Sequence, residues 1–559
     1  MTRRTGMALA LTGAFAAATL PVLPVAAGSG EHVVVQASSA GAAARAVRAA
    51  GGRVVRSLPI VDAVAAVLPA GALVPGTVVT PDVPLRPSAT DTTPATAVPS
   101  VYRQATGATG LAPARTSVTV AILDTGISSV GALGSKILPV PDPVTGQSGA
   151  CANFSSEKGD CADNYGHGTF LAGLVAGEGD YPGMDPAARL VSIKVGSRDG
   201  SADTSQVLAG IQYAVSFKDQ LGIKVLNLSL GTNSTHDYRK DPLNRAVEKA
   251  WRAGLVVVVA ASNRGPADGT ISKPADDPLV VTVGAVDDHG TASRTDDTVP
   301  PFSGRGPVVE GTGSDLTTVY KPDVVAPGVG LVSLAVPGSH IEQTAPRSTI
   351  PGYRRGSGTS QATAVVSGAA ALLLERRAWT PDEVKAALYA GANRVAGQPF
   401  KAVGAGMIDV QESLDARVDG ARQPEPRQDA MDGLDLSRAA SQVTSYACGA
   451  VRRSVDGEGC TVVSGQLTAL GTTGMLYEPR LVPFDASGYV GTDWTGQSWY
   501  SSQWVQGQSW YGQSWYGQSW YGQSWYEAGS SPPAQDPVEG TATDFGTVLP
   551  GSAWYGVWK

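Results

Sequence analysis

Nucleophilic attack by a serine hydroxyl needs a base to take its proton, a carboxylate to orient that base, and donors for the oxyanion that forms. Four residues of this chain stand where they could fill those parts. Asp124 closes the apolar run Val118-Thr119-Val120-Ala121-Ile122-Leu123, and the carboxyl end of a buried strand is where α/β proteins place their sites. His167 lies in Asp163-Asn164-Tyr165-Gly166-His167-Gly168-Thr169, flanked by glycines that let backbone or ligand approach the imidazole. His32, His236, His289 and His340 have no such surroundings. Ser360 lies in Gly356-Ser357-Gly358-Thr359-Ser360-Gln361-Ala362-Thr363-Ala364, a Gly-rich turn leading into a long apolar helical pattern. Its hydroxyl is expected at the positive end of a helix dipole, which favours a developing oxyanion. Asn263 follows the apolar run 255–261 and carries an amide that can donate to such an oxyanion. Each type alone has a commoner use: Asp and Asn in turns, Ser as a helix cap, His at the surface.

The surrounding pattern supplies a frame for them. Strand-like runs at 117–123, 190–195, 225–230 and 255–261 alternate with helical spacing at 204–217, 242–253 and 361–377, and 167–176 reads as a helix start. Strands separated by helices of this length imply an α/β fold over residues 100–415, a parallel sheet flanked by helices. Ahead of it, runs at 32–36, 53–58 and 60–68 with an Ala/Arg helix at 39–50 make a small α+β unit. That unit is short for independent stability. Residues 74–99, rich in Pro, Thr, Val and Ser, read as an exposed linker.

The 559 residues are 42% apolar and 16% charged, enough for a full core and against wholesale disorder. The net charge of −7, without any Lys/Arg-rich stretch, speaks against nucleic-acid binding. Arg3 and Arg4 precede an apolar run over 7–20, and Val25-Ala26-Ala27 offers small residues for a signal peptidase. Residues 1–27 therefore read as a cleaved secretory signal. Pro21 and Pro24 interrupt the run before the roughly 20 residues of a spanning helix, so no transmembrane span is expected. In an oxidising compartment the spacings of Cys151 to Cys161 and of Cys448 to Cys460 suggest two local disulfides.

Residues 416–440 read as a charged linker, 441–490 as a small Cys-containing unit and 491–559 as an aromatic repeat tail. Gly-Gln-Ser-Trp-Tyr recurs at 496–500, 507–511, 512–516, 517–521 and 522–526. A period of five fits neither an amphipathic helix nor a half-buried strand. Such Trp-Tyr pairs suit stacking on the sugar rings of a cell wall, docking on the chain's own α/β domain, or self-association.

Taken in order, the motifs resemble the subtilisin-like serine proteases (subtilases), whose chain order is also Asp, His, Ser. Leu226-Asn227-Leu228-Ser229-Leu230-Gly231 resembles that family's strand beside the pocket for the residue preceding the cut bond. Lys194-Val195 with Asp199-Gly200-Ser201 resembles the edge that pairs with the substrate backbone. The segments 283–286, 302–307 and 321–328 match in type and order.

The resemblance implies that Asp124 orients the base, His167 is general base then acid, Ser360 is the nucleophile, and Asn263 stabilises the oxyanion with the N–H of Ser360. It implies substrate binding at Gly200, Ser201, Ala202, Ser229, Leu230 and Gly231. Residues 28–73 look like a propeptide that assists folding and blocks the cleft, followed by a processing region within 74–99. The implied protein is a secreted serine endopeptidase made as a self-processed zymogen. Its partners would be protein or peptide substrates and its own propeptide. No cofactor is required for the chemistry, and structural calcium, frequent in the family, has no assigned ligand set.

Three positions depart from the family pattern: Gln361 stands for Met, Ala364 for Pro, and Phe170 for a second His. Arg264 stands where an acid is common, which implies selection against Lys or Arg before the cut bond. The alternatives are an inactive protein of the same fold, or a wall- or glycan-binding protein acting mainly through its tail and retained at the cell wall.

Overall fold

The computed structural model describes residues 30–87, 100–111, 116–143, 146–234, 237–311, 316–344, 348, 350–424 and 426. The readings of 1–27, 441–490, 491–559 and the Cys448/Cys460 pair lie outside the described residues.

Strands β1 (Glu31–Gln36), β2 (Arg53–Leu58), β3 (Ala63–Leu68) and β4 (Val78–Pro81) form an antiparallel sheet in the order β2-β3-β1-β4, accompanied by helix α1 (Ala40–Ala49). Strand alternation gives this sheet two apolar faces. Val33, Val35, Val64, Ala66 and Leu68 join Ala43 and Val47 of α1 in a small core. Val34, Leu58, Ala63 and Ala65 instead join the main core of the chain. The helices Thr204–Leu221 and Pro242–Arg252 pack on β2 and the turn Pro59–Val61, so the short unit is completed by the larger one.

The exposed-linker reading is corrected over 74–87, while 88–99 lie outside the described residues. Val74 and Val79 are buried, β4 completes the first sheet, and β5 (Pro84–Pro87) continues into the larger unit. Their prolines and short lengths hid both strands, because Pro is ordinarily a mark against a strand.

The larger unit is a seven-stranded, all-parallel sheet. Its strands are β6 (Thr119–Asp124), β7 (Ala152–Asn153), β8 (Arg189–Lys194), β10 (Ile223–Leu228), β12 (Val256–Ala260), β13 (Val281–Val286) and β14 (Val324–Pro327). Their order is β14-β13-β12-β10-β6-β8-β7. Two short strands stand outside it, β9 (Ala202–Asp203) and β11 (Leu230–Gly231), on either side of β5. Helix α2 (His167–Ala176) packs on α5 (Thr359–Leu374), and α3 (Thr204–Leu221) on α4 (Pro242–Arg252). This is the α/β architecture expected.

Every residue of α2, and every residue of α5 from Thr359 to Leu373, is buried, so neither helix turns a face to solvent. Helix α5 starts at Thr359 and ends at Leu374, not over 361–377. The domain also runs past 415: Val418 and Ala421 are buried in the main core, and Gln423 Nε2 donates to the carbonyl of Leu279 at 3.0 Å. Cys151 and Cys161 form a disulfide, with Cα atoms 5.6 Å apart. Among the described residues no helix is long and apolar enough to cross a membrane.

Candidate active site

Asp124 is the last residue of β6 and His167 the first of α2. His167 Nδ1 and Asp124 Oδ1 are 2.7 Å apart, with the two side chains 1% and 0% exposed. The same oxygen accepts the N–H of Thr125 at 2.8 Å. A carboxylate on Nδ1 selects the tautomer that leaves Nε2 as the acceptor.

The residue capping α2 is Gly166, at φ +103°, which has no side chain to satisfy the first N–H groups. Other residues do this. Gly168 N–H donates to Thr125 Oγ1 at 3.0 Å and Thr169 N–H to Asp163 Oδ2 at 2.7 Å. Asp163 Oδ1 accepts the N–H of Gly166 and the hydroxyl of Thr125, each at 2.7 Å. Burial pushes the Asp163 carboxyl up and these donors pull it back. Residue 168 has no room for a Cβ, which would collide with the carbonyl of Gly126. Asp163 and Thr125 went unassigned in the sequence, although a helix opening on Gly166 must find its acceptors elsewhere.

Ser360 is the second residue of α5, after Thr359 and the capping Gly358. It is fully buried inside the helix, and the cap position is held by a glycine instead. Its hydroxyl donates to the carbonyl of Ser229 at 3.1 Å, and Ser229 Oγ donates to the carbonyl of Ser360 at 3.3 Å. Asn227 Nδ2 donates to Ser229 Oγ at 3.0 Å and Ser367 Oγ to Asn227 Oδ1 at 2.9 Å, which ties α5 to β10. Asn263 Oδ1 accepts both the N–H and the hydroxyl of Thr359 at 2.9 Å.

The predicted substrate edges are occupied by the chain itself. Strand β5 lies antiparallel between β9 and β11. Pro84 stands opposite Asp203, Leu85 opposite Ala202, Arg86 opposite Gly231 and Pro87 opposite Leu230. Leu85 is fully buried. Gly200 sits at φ +79° under the ring of Tyr165, where a Cβ would come within 2.9 Å. Ser201 turns back on Asp199, its hydroxyl 2.6 Å from Oδ1.

Two departures from the family pattern meet. A Cβ on Gly356 would lie 2.8 Å from Gln361 Nε2 and 2.9 Å from Phe170 Cζ, so both side chains fill the space above that glycine. Arg264 is half-buried, with Nη2 3.4 Å from the carbonyl of Thr270. Among the described residues no group of three or more His, Cys, Asp or Glu is placed to hold a metal ion.

A model of the subtilase family matches residues 115–406. Over 309 residues the chain is 38% identical to serine protease AprX of Bacillus subtilis (strain 168), a match covering 53% of this chain and 66% of that protein. It is 32% identical over 305 residues to subtilisin E of the same organism, covering 53% of this chain and 65% of that one. It is 34% identical over 268 residues to the membrane-bound transcription factor site-1 protease of Rattus norvegicus, covering 46% of this chain and 22% of that protein. The chain thus spans just under two thirds of the length of the first two relatives and about a fifth of the third. Among solved structures, fervidolysin from Fervidobacterium pennivorans, a keratinolytic enzyme related to subtilisin, shares the fold. Its TM-score is 0.55 at 22% identity, over 71% of this chain and 63% of that one.

Proposed function

The chain belongs to the subtilase family, and on that premise we propose that it is a secreted serine endopeptidase made as a self-processed zymogen. The observation that carries the reading is the buried 2.7 Å contact between His167 Nδ1 and Asp124 Oδ1. His167 Nε2 takes the proton of Ser360 Oγ as that oxygen bonds to the substrate carbonyl carbon, and Asp124 stabilises the imidazolium. The negative charge on the carbonyl oxygen is met by the N–H of Ser360, which lies in the first turn of α5 without an intrahelical acceptor, and by Asn263 Nδ2. His167 then gives its proton to the leaving amine, and water repeats the sequence on the acyl-enzyme.

Gly200 to Ala202 and Ser229 to Gly231 serve as the two edges that pair with a substrate strand. The leading α+β unit acts as propeptide and inhibitor, and β5 supports this by lying in the groove between those edges. The chemistry needs no cofactor, and no calcium ligand set enters it. Retention at a cell wall is assigned to the aromatic tail, whose recurring Trp-Tyr pairs favour stacking on glycans.

The test is a fluorophosphonate probe on the secreted protein. Labelling at Ser360 that disappears in Ser360→Ala supports the reading. Peptide hydrolysis by a protein lacking the Ser360 hydroxyl overturns it.

A further inference from the structure

We propose that Asp163 and Thr125 form a positioning device for His167: a second buried carboxylate that, through the Thr125 hydroxyl, locks the start of α2 onto the end of β6. The proposal rests on the reading of His167 as the base.

The hydrogen bonds carry the argument. Thr125 Oγ1 lies 2.7 Å from Asp163 Oδ1 and 3.2 Å from Asp124 Oδ1. A hydroxyl has one proton, and the shorter contact assigns it to Asp163. The lone pairs of Thr125 Oγ1 then accept the Gly168 N–H at 3.0 Å. Asp163, acceptor-only when ionised, also holds the N–H groups of Gly166 and Thr169. One carboxylate therefore grips the chain on both sides of His167 and, through Thr125, the residue next to Asp124. Asp163 touches neither the imidazole nor the groove-filling strand by any of these bonds, so its effect passes through the Asp124–His167 distance.

The alternative is plain structural support, in which loss of the carboxylate lowers stability and leaves each folded molecule fully active. A misplacement of about 1 Å in a reacting group costs roughly 10² in rate, and that separates the two.

The test uses the full chain with Asp163→Asn, Thr125→Val and Thr125→Ser. Turnover of a small peptide is measured per probe-titrated site, and the downfield proton signal of the His167 Nδ1–H···Asp124 hydrogen bond is recorded by NMR. Asp163→Asn and Thr125→Val should lower kcat about 10–100-fold with KM within about threefold, and should shift or broaden the signal. Thr125→Ser, which keeps the hydroxyl, should restore both. Unchanged kcat and signal in Asp163→Asn overturn the proposal. If that variant does not fold, the Thr125 pair decides on the same readouts. A wild type that shows the signal yet takes no probe and cuts no peptide defeats the peptidase reading, while the signal in the variants still judges the positioning role.

Discussion

The carboxylate of Asp82 accepts the main-chain N–H of Ser205 at 2.6 Å, so a residue of the leading α+β unit caps the first turn of α3 in the larger one. Its neighbour Val83 accepts both the N–H and the hydroxyl of Thr204 at 2.9 Å. Loss of a capping side chain costs about 0.5–2 kcal/mol. Asp82→Ala should therefore weaken inhibition of the processed protein by the leading unit about 2–30-fold.

Burial of the same carboxyl sets a pH dependence. Burial pushes the Asp82 carboxyl up to about 6, against hydrogen bonds from Ser205 that lower it. The docked form thus holds the proton more tightly than the free one. A carboxyl raised on docking favours association below its ordinary value of 3.8, and that contribution is lost as pH rises through about 6. The leading unit should inhibit more strongly at about pH 5 than at about pH 8, and Asp82→Asn should flatten the difference. An inhibition constant that does not move with pH in the wild type would remove Asp82 from the linkage.

Ser360→Ala should abolish hydrolysis and self-processing while leaving the fold intact, because the lost hydroxyl makes one hydrogen bond, to Ser229, worth about 1 kcal/mol. The precursor should retain the leading unit. In the wild type the new N-terminus should lie beyond Pro87, since 84–87 is held as a strand in the groove. N-terminal sequencing decides both points, and a normally processed Ser360→Ala protein sinks the assignment.

Asn263→Ala should lower kcat about 10²–10³-fold with little change in KM, the cost of removing one side-chain oxyanion donor. Steady-state kinetics check this. A loss confined to KM would recast Asn263 as a ground-state binder whose main task is holding Thr359.

Gly356→Ala should cost about 1–3 kcal/mol of stability, because the added methyl meets Gln361 and Phe170. Phe170→Leu in the same chain should recover part of the loss. Strictly additive melting penalties would show that the two residues do not share that space.

Deleting 494–559 should leave hydrolysis of a small peptide unchanged and alter surface retention, solubility or thermal stability instead. Every group assigned to the chemistry precedes residue 361. A folded truncation that cannot cut the small peptide would make the tail part of the active machinery.

Local sequence was enough for the parts whose structure is set by near neighbours. The apolar run ending at Asp124, the Gly-rich turn into α5 and the alternation of strands with helices were legible, because burial pattern and turn chemistry act over a few residues. The same locality placed His167 at a helix start and Ser360 at another. What failed was composition used as a proxy for exposure: the prolines of 74–87 concealed β4 and β5, and the polar residues after 415 concealed the buried Val418 and Ala421.

The sequence by itself determined the residue types, their order and the helices and strands that carry them. Only the tertiary structure decided which of them meet. Thr125 and Asp163 are 38 positions apart and share one hydrogen bond, Phe170 and Gln361 converge on Gly356, and β5 enters the groove between β9 and β11. The physical reason is range. Propensity and periodicity report what a segment does with its own neighbours, whereas a hydrogen bond between distant segments forms only after the sheet has closed and burial has removed the water that would otherwise take its place.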